Sequence, residues 1–319
     1  MFVHAWKLSI NSGCHLKVFL SVLYCRFLPK VNTKVIHSFR TLLEMIKFEH
    51  TIFALPFAFL GAVLATRGLP AWAESGWILL AMVGARSAAM AFNRLADHRF
   101  DSLNPRTNNR ALPSGKISRG FVTSFVGASS FLFLFAAWNL NMLAFQIAPF
   151  ALLIILGYSL TKRFTPFSHL LLGTALAIAP VGGWVAVLGT LDGAPFLLGL
   201  TVFFWVAGFD VIYACQDIDF DRQIGLHSIP QRWGIGTSIW LARISHGMML
   251  ICLCFSVQIF QLSWISWVGV SVIALLLFYE HSLVNARDLS RVHIAFFNIN
   301  GIISLGLFLF ISSDLLVNG

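Results

Sequence analysis

Charged side chains are scarce in this chain of 319 residues, since Asp, Glu, Lys and Arg together make up only 11% of it. Soluble domains carry about 25% charged residues, so this chain cannot cover a globular core with a water-facing surface. Hydrophobic residues make up 58% of the sequence, and the mean hydropathy is +0.80. This composition excludes soluble, disordered, collagen-like and coiled-coil chains. It predicts an all-α protein that crosses a membrane several times.

Cysteine is also rare, with five residues in the chain, and none is spaced with a nearby histidine as metal ligands are. Cys252 and Cys254 lie inside a hydrophobic segment, where cysteine usually serves as a small apolar side chain. The sequence therefore gives no indication of disulfides or of a cysteine-based metal site.

Long hydrophobic segments are what the sequence has instead of charge. A helix needs about 20 apolar residues to cross a bilayer, and the length of these segments identifies them as helices. We predict nine spans in one membrane domain, residues 43–319, preceded by a basic extension, residues 1–42, whose role the sequence does not define. The predicted spans are 50–66, 72–97, 120–140, 142–160, 170–188, 195–217, 237–260, 264–283 and 292–315.

Lys and Arg are concentrated in alternate loops, whereas the opposite loops contain only Arg67. By the positive-inside rule, this bias places the N-terminus and the basic loops in the cytoplasm and the C-terminus outside. The net charge of +9 is thus explained by topology, and we expect a lipid bilayer rather than nucleic acid as the partner. The basic residues of these loops are Arg99, Arg106, Arg110, Lys116, Arg119, Lys162, Arg163, Arg222, Arg232, Arg287 and Arg291.

Six of the thirteen acidic residues fall in two short windows, each at the cytoplasmic end of an even-numbered predicted span. In the first window, Asn93, Asp97 and Asp101 are spaced four residues apart. Side chains with this spacing lie on one face of a helix. The first window therefore predicts a row of oxygen atoms along one helix.

The second window has a similar pattern, because Asp210, Asp217 and Asp221 also share a helical face. Tyr213 lies one turn before Asp217, where its ring either stabilises a cation or only packs. Asp219 points away from this face and is interpreted as ordinary loop charge. Both windows end on the same side of the membrane, so the two faces can meet across one cavity.

Carboxylates gathered in a partly dry cavity repel one another unless a cation lies between them. Oxygen ligands without a Cys/His set favour Mg²⁺, which binds few carboxylates and completes its shell with water and substrate phosphates. The two windows therefore predict a Mg²⁺ site for a diphosphate. The alternative is a pair of solvated loops neutralised by neighbouring arginines, but two matching windows on one membrane side favour the functional interpretation.

At these residues the chain resembles the UbiA superfamily of intramembrane prenyltransferases. The resemblance covers residues 43 to the C-terminus, and the loop 104–115 resembles the loop that follows the family's first aspartate motif. It implies a helical bundle around a central cavity, with Mg²⁺ bridging both motifs to a polyprenyl diphosphate whose tail lies in an apolar tunnel. The matching motifs are Asn93-x-x-x-Asp97-x-x-x-Asp101 and Asp210-x-x-Tyr213-Ala214-x-x-Asp217-x-x-x-Asp221.

Four further positions are candidates for substrate contact. Arg86 lies seven residues before Asn93 inside the second span, where an arginine faces an anion or, alternatively, holds a helix-end carbonyl. Tyr158 and Lys162 are four residues apart at the end of the fourth span. The resemblance places the pair Lys162–Arg163 near the diphosphate, and the alternative is a basic membrane anchor.

These arguments assign three overlapping sets of site residues. The catalytic set is Asp97, Asp217, Arg86 and Tyr213. The metal-binding set is Asn93, Asp97, Asp101, Asp217 and Asp221. The substrate-binding set is Asn93, Arg86, Tyr158, Lys162, Arg163 and Asp210.

The resemblance implies an enzyme of ubiquinone or menaquinone synthesis in a bacterial inner membrane, with 4-hydroxybenzoate or 1,4-dihydroxy-6-naphthoate as the aromatic acceptor. The segments 88–94 and 213–217 favour the naphthoate branch, and Lys47 and His50 are candidates for contact with the acceptor. Family members with other acceptors remain alternatives. A phosphatidyl-alcohol transferase would keep its aspartates in one window. A cation-coupled transporter would place them near mid-membrane, in inverted repeats.

Overall fold

The computed structural model describes residues 33–46, 51–286 and 288–318. Within these ranges the protein is all-helical, and an isolated bridge between Asn285 and Asp288 is the only β-pairing. This confirms the predicted fold class. The candidates Lys47 and His50 lie outside the described residues, as do Arg287 and most of the predicted N-terminal extension.

Eleven α-helices follow one another along the described part of the chain. Three of them are joined to short segments of other helical geometry, which are a 3₁₀ turn after α5, a 3₁₀ turn after α7 and a π-helix before α11. The α-helices are α1 Thr33–Met45, α2 Thr51–Thr66, α3 Trp72–Leu103, α4 Arg119–Leu140, α5 Met142–Gly157, α6 Ser168–Leu188, α7 Ala194–Ala214, α8 Ile218–Ile224, α9 Ile229–Ile259, α10 Trp264–Leu283 and α11 Asn300–Asn318. The other segments are Tyr158–Arg163, Cys215–Asp217 and Ile294–Ile299.

Eight helical segments in the described part are long and apolar enough to cross a membrane. A ninth apolar helical segment, Leu55–Thr66, is shorter. Together they correspond to the nine predicted spans, although several ends differ. The second span continues as a helix to Leu103, past the predicted end at residue 97. The seventh begins at Ile229 and contains a non-helical residue, Gly234, before the predicted start at residue 237.

Two glycines allow α2 and α6 to pack with their backbones in direct contact. A side chain at Gly61 would collide with the carbonyl group of Pro180, and one at Gly183 would collide with that of Ala58. Small residues at such crossings are typical of helices packed within membranes. There the hydrophobic effect does not drive helices together, and van der Waals contact between closely packed backbones does. This contact fixes α2 against the wall of the cavity described below.

Helix α1 crosses the predicted domain boundary at residue 42. Leu42 in this helix and Ile46 directly after it are buried against α3 and the start of α4, in a cluster that includes Leu112 and Val122. The first turns of the membrane domain and the last part of the predicted extension thus form one packed unit. The loop between α3 and α4, residues 104–118, lies at the same end of the bundle.

Candidate active site

A cavity of about 530 Å³ lies between the helices, with its polar part where α3 and α7 end. All eleven residues that the sequence singled out for the site line this one cavity. The sequence predicts that the two windows meet across one cavity because both end on the same side of the membrane, and the structure places both in this lining. The eleven are Arg86, Asn93, Asp97, Asp101, Tyr158, Lys162, Arg163, Asp210, Tyr213, Asp217 and Asp221.

The first window stays on a continuous helix, α3, so its three polar residues do share a face. Asn93 Nδ2 donates to Asp97 Oδ2 at 3.1 Å and lies 3.4 Å from Ser159 Oγ. Among the described residues, no basic group lies within 4 Å of the Asp97 carboxylate. Its oxygens are therefore available to a cation that enters the cavity.

Asp101, one turn further along, has a different environment. Arg110 Nη1 donates to both of its carboxylate oxygens, at 2.7 and 2.8 Å. Arg94 Nη1 lies 3.9 Å from the same group, and Asp101 is buried. Two arginines thus already neutralise Asp101, which makes it the weakest member of the predicted metal-binding set.

The second window does not form the continuous helical face that the spacing predicted. Helix α7 ends at Ala214, a 3₁₀ turn carries Asp217, and Asp221 belongs to the short helix α8. Asp221 is buried and accepts a hydrogen bond of 2.8 Å from Ser228, the residue that caps α9. Both carboxylates still line the cavity, although each is held by a different element.

Arg106, which the sequence marked only as a loop charge, pairs with Asp217. Its Nη2 and Nε lie 2.6 and 3.0 Å from the two carboxylate oxygens, and its Nη1 donates to the Tyr213 hydroxyl at 3.3 Å. Burial alone would lower the pKa of Arg106, but the pairing with Asp217 outweighs burial and raises that pKa above its ordinary value. The guanidinium is therefore a permanent positive charge beside the second window.

Asp210 is paired with a residue that sequence reasoning missed. His169 Nδ1 lies 2.7 Å from Asp210 Oδ2, and the histidine, at the start of α6, is fully buried. These residues are 41 positions apart, so no local spacing could reveal the contact. The imidazole fixes the orientation of the Asp210 carboxylate at the cavity wall.

Lys162, at the end of the 3₁₀ turn after α5, interacts electrostatically with four carboxylates, those of Asp97, Asp210, Asp217 and Asp221. Within the described residues, none of their oxygens comes within 4 Å of its ammonium group. Lys162 attracts an anion into the space beside it, but the carboxylates repel that anion unless a metal cation enters with it.

The other two basic candidates have different surroundings. Arg163 Nη2 donates to the carbonyl of Ala96 at 2.6 Å, and its guanidinium stacks on Phe100, so much of its bonding capacity is used within the protein. Arg86 lies deeper in the cavity near Tyr158, and its Nε is buried without a partner among the described residues. A half-buried guanidinium whose Nε is buried without a partner among the described residues favours an anionic ligand.

Small apolar residues line the cavity beyond these polar groups. They include Ala85, Ala137, Ala148 and Ala179, and the lining continues to Ile78 near the other end of the bundle. The cavity therefore joins a highly charged compartment to an apolar passage of the kind that a hydrocarbon tail fills.

The oxygen donors of the cavity suit a hard metal ion. The candidate ligands are oxygen atoms on two opposing walls, Asn93 and Asp97 on one and Asp217 and Asp221 on the other. In the part of the chain that the structure describes, no three Asp, Glu, His or Cys side chains form a ready-made cluster. A partial set of hard oxygen donors fits Mg²⁺, which takes few protein ligands and binds phosphates and water as well.

Comparison with known proteins gives a consistent picture. The model of the UbiA prenyltransferase family matches residues 54–302. The chain is 28% identical over 72% of its length to the 4-hydroxybenzoate octaprenyltransferase of Methylobacillus flagellatus, covering 79% of that protein, and 29% identical over 75% to that of Vibrio parahaemolyticus, covering 84%.

Two solved structures show the same fold. A UbiA homolog from Aeropyrum pernix K1 is 35% identical, with a TM-score of 0.77, over 84% of this chain and 98% of that one. A UbiA homolog from Archaeoglobus fulgidus, solved with GPP and Mg²⁺, has a TM-score of 0.65 at 20% identity, over 85% of this chain and 99% of that one.

Proposed function

The chain belongs to the UbiA prenyltransferase family and is a membrane-embedded prenyltransferase, and from this premise we propose that it transfers a polyprenyl group from polyprenyl diphosphate to a hydroxylated aromatic acid. The observation that carries the proposal is the single cavity in which two carboxylate walls, a lysine and an alanine-lined passage meet. A diphosphate with a long hydrocarbon tail matches both compartments.

Mg²⁺ is the proposed cofactor, held by Asn93 and Asp97 on one wall and by Asp217 and Asp221 on the other. When bound, it withdraws charge from the diphosphate and makes this group easier to displace. Asp101 is the least suitable of the predicted ligands because two arginines, Arg110 and Arg94, already engage it. Asp217 pairs with Arg106 alone, and that guanidinium would have to shift toward the diphosphate for Asp217 to bind the metal.

The basic residues of the cavity are proposed to bind the anionic substrate groups. Lys162 and Arg106 lie beside the carboxylate walls, where they can pair with the diphosphate as its charge increases during bond cleavage. Arg163 is assigned a structural role, because its guanidinium donates a hydrogen bond to the carbonyl of Ala96. Arg86, near Tyr158, is assigned to an anionic group deeper in the cavity, and separate KM values for donor and acceptor would identify that group.

We propose that the reaction breaks the carbon–oxygen bond of the donor and forms a carbon–carbon bond to the acceptor ring. The diphosphate leaves with the electron pair of the broken bond, and the ring loses one proton to recover its aromaticity. Asp210, oriented by His169, is the proposed acceptor of that proton. The apolar walls exclude water, which would otherwise capture the cationic carbon as an alcohol.

The proposed acceptor is 4-hydroxybenzoate, because the curated relatives named above are 4-hydroxybenzoate octaprenyltransferases. The test supplies membranes containing the protein with labelled isoprenyl diphosphate, Mg²⁺ and either 4-hydroxybenzoate or 1,4-dihydroxy-6-naphthoate. Prenylated 4-hydroxybenzoate supports the proposal. A prenylated naphthoate as the sole product would contradict this acceptor and assign the enzyme to menaquinone synthesis. Release of diphosphate with neither product would refute both acceptors. A complete lack of Mg²⁺-dependent turnover by folded protein would favour a transporter.

We further propose that this site faces the cytoplasm of a bacterial inner membrane, with the C-terminus outside. The support is the concentration of Lys and Arg in alternate loops. A single cysteine placed at position 318, in a variant without the native cysteines, should react with a membrane-impermeant maleimide on intact cells. Labelling only after the cells are opened would contradict this orientation.

We also propose that residues 43–319 form the catalytic domain and that residues 1–42 are dispensable for the chemistry. Removal of residues 1–32 should leave activity within about twofold, because all eleven catalytic, metal-binding and substrate-binding candidates lie at position 86 or beyond. Removal of residues 1–46 should lower the yield of folded protein, since it also deletes Leu42 and Ile46 from a buried cluster. Loss of activity in the shorter truncation, with folding intact, would contradict the boundary.

A further inference from the structure

The cavity has two unlike walls. Helices α3 to α6 contribute alanine, glycine, aliphatic and polar side chains, with Phe100 and Phe133 as isolated rings. Helix α7, by contrast, contributes three aromatic rings, Trp205, Phe209 and Tyr213, spaced four residues apart on one face. The ring centroids of Trp205 and Phe209 are 5.0 Å apart. Phe297, in the π-helix before α11, extends this surface, with its ring 6.3 Å from that of Tyr213. We call Trp205, Phe209, Tyr213 and Phe297 the aromatic wall.

Polar contacts hold the ring of Trp205 in place at the far end of the aromatic wall. Its Nε1 donates to Asn300 Oδ1 at 2.7 Å, and its ring lies 4.9 Å from that of Phe57. Asn300 Nδ2 in turn lies 3.2 Å from the carbonyl oxygen of Ala295 and 3.4 Å from Glu280 Oε1. Trp205 therefore cannot turn without breaking a buried hydrogen bond.

The hydrogen bonds that hold Trp205 are unusual for a side chain that only packs between helices. Glu280 is fully buried within a membrane-spanning helix, where a carboxyl group is costly and is typically found for functional reasons. The π-helix that ends directly before Asn300 is another uncommon feature, and such segments are frequent at functional sites. Trp205 and Asn300 both line the cavity, so the supported ring faces the space that substrates occupy.

We infer that the aromatic wall is the seat of the acceptor ring and that Trp205 limits the size of the ring that fits. Asn300 and Glu280 are then positioning residues that fix Trp205. A flexible hydrocarbon tail binds in an apolar passage without contacts of fixed geometry. A flat ring, in contrast, is stabilised by edge-to-face and stacked contacts with other rings. The other end of the aromatic wall, Tyr213, contacts Arg106 beside Asp217, which brings a seated ring next to the proposed diphosphate site.

This inference rests on the proposed function and is tested through acceptor selectivity. Trp205→Phe replaces the two-ring indole with a smaller phenyl ring, and Asn300→Leu removes the hydrogen bond to the indole. Trp184→Phe is the matched control, because Trp184 packs against Phe260 and does not line the cavity. For each variant, kcat/KM is measured with 4-hydroxybenzoate and with 1,4-dihydroxy-6-naphthoate, together with KM for geranyl diphosphate.

The ratio of kcat/KM for the two-ring acceptor to that for the one-ring acceptor should rise about tenfold in Trp205→Phe. It should rise about threefold in Asn300→Leu and stay unchanged in Trp184→Phe, while KM for geranyl diphosphate stays within about twofold in all three. A change in the donor KM without a change in selectivity would assign the wall to the tail and overturn the inference. No change in either quantity would reduce the wall to packing, which also overturns it. Wild-type protein that prenylates neither acceptor would instead refute the proposed function.

Discussion

Asp97 and Asp101 lie one helical turn apart on α3, yet their neighbours give them different chemistry. Asp97 has an amide partner in Asn93, whereas Asp101 is held by Arg110 and Arg94. A carboxylate without a nearby cation can accept one, and a carboxylate between two arginines stabilises the loop that carries them. Residue type and spacing were identical for the two positions, so only the tertiary contacts separate their roles.

Arg110→Ala should destabilise the protein because it leaves Asp101 buried with a single, more distant cation. We expect a loss of about 2 kcal/mol, below the 3–5 kcal/mol typical of a broken buried ion pair, since Arg94 remains. Thermal unfolding of the purified protein measures the effect. The control is Arg99→Ala, which removes an exposed arginine of α3, the helix that carries Asp101. Equal unfolding temperatures for the two variants would show that the Arg110 pair contributes nothing.

Arg86→Ala should lower activity by about 10²-fold, because its guanidinium is placed to stabilise charge on a substrate anion. Arg86→Lys keeps the charge but loses the fork of donors, so its activity should lie between those of the wild type and the alanine variant. Steady-state kinetics on protein of verified folding measure this. An effect of less than threefold in Arg86→Ala would mean that Arg86 only supports the helix.

At the scale of helices, a few close contacts determine where the cavity walls stand. Helices α2 and α6 meet through Gly61 and Gly183, and α7 changes to a 3₁₀ turn just before Asp217. The sequence predicted the hydrophobic lengths of these helices well, because length is set by the bilayer. It did not predict the change within the second window, because that turn coincides with a long-range ion pair between Arg106 and Asp217.

Gly183→Ala should destabilise the bundle, because its added methyl group collides with the carbonyl of Ala58. Overpacking of this kind costs about 1–3 kcal/mol. Gly127→Ala, at an exposed helical glycine with open space around it, is the matched control and should be neutral or slightly stabilising. The midpoints of thermal unfolding of the two variants and the wild type measure this difference in stability. A Gly183→Ala protein as stable as the control would contradict the close packing of α2 and α6.

At the scale of the whole molecule, the site is assembled from elements that are distant in the sequence. Spacing predicted the row on α3 and identified the carboxylates of the second window, although these lie on three successive elements. The overall pattern of charge and hydrophobicity predicted the bundle. The partners His169 and Arg106 could not be predicted, because each is distant in the sequence from the carboxylate that it contacts, by 41 and 111 positions. Local patterns therefore identified the carboxylates, and only the tertiary structure showed what holds them.

The measurement that decides most directly whether the two carboxylate walls form one metal-dependent site compares three substitutions across a Mg²⁺ titration. Asp97→Asn and Asp217→Asn each remove a charge from one wall, and Asp219→Asn removes an exposed charge outside the cavity. Formation of labelled prenylated product should fall more than about 10²-fold in the first two and stay within twofold in the third. Wild-type activity in folded Asp97→Asn or Asp217→Asn protein would contradict the assignment of both walls to prenyl transfer.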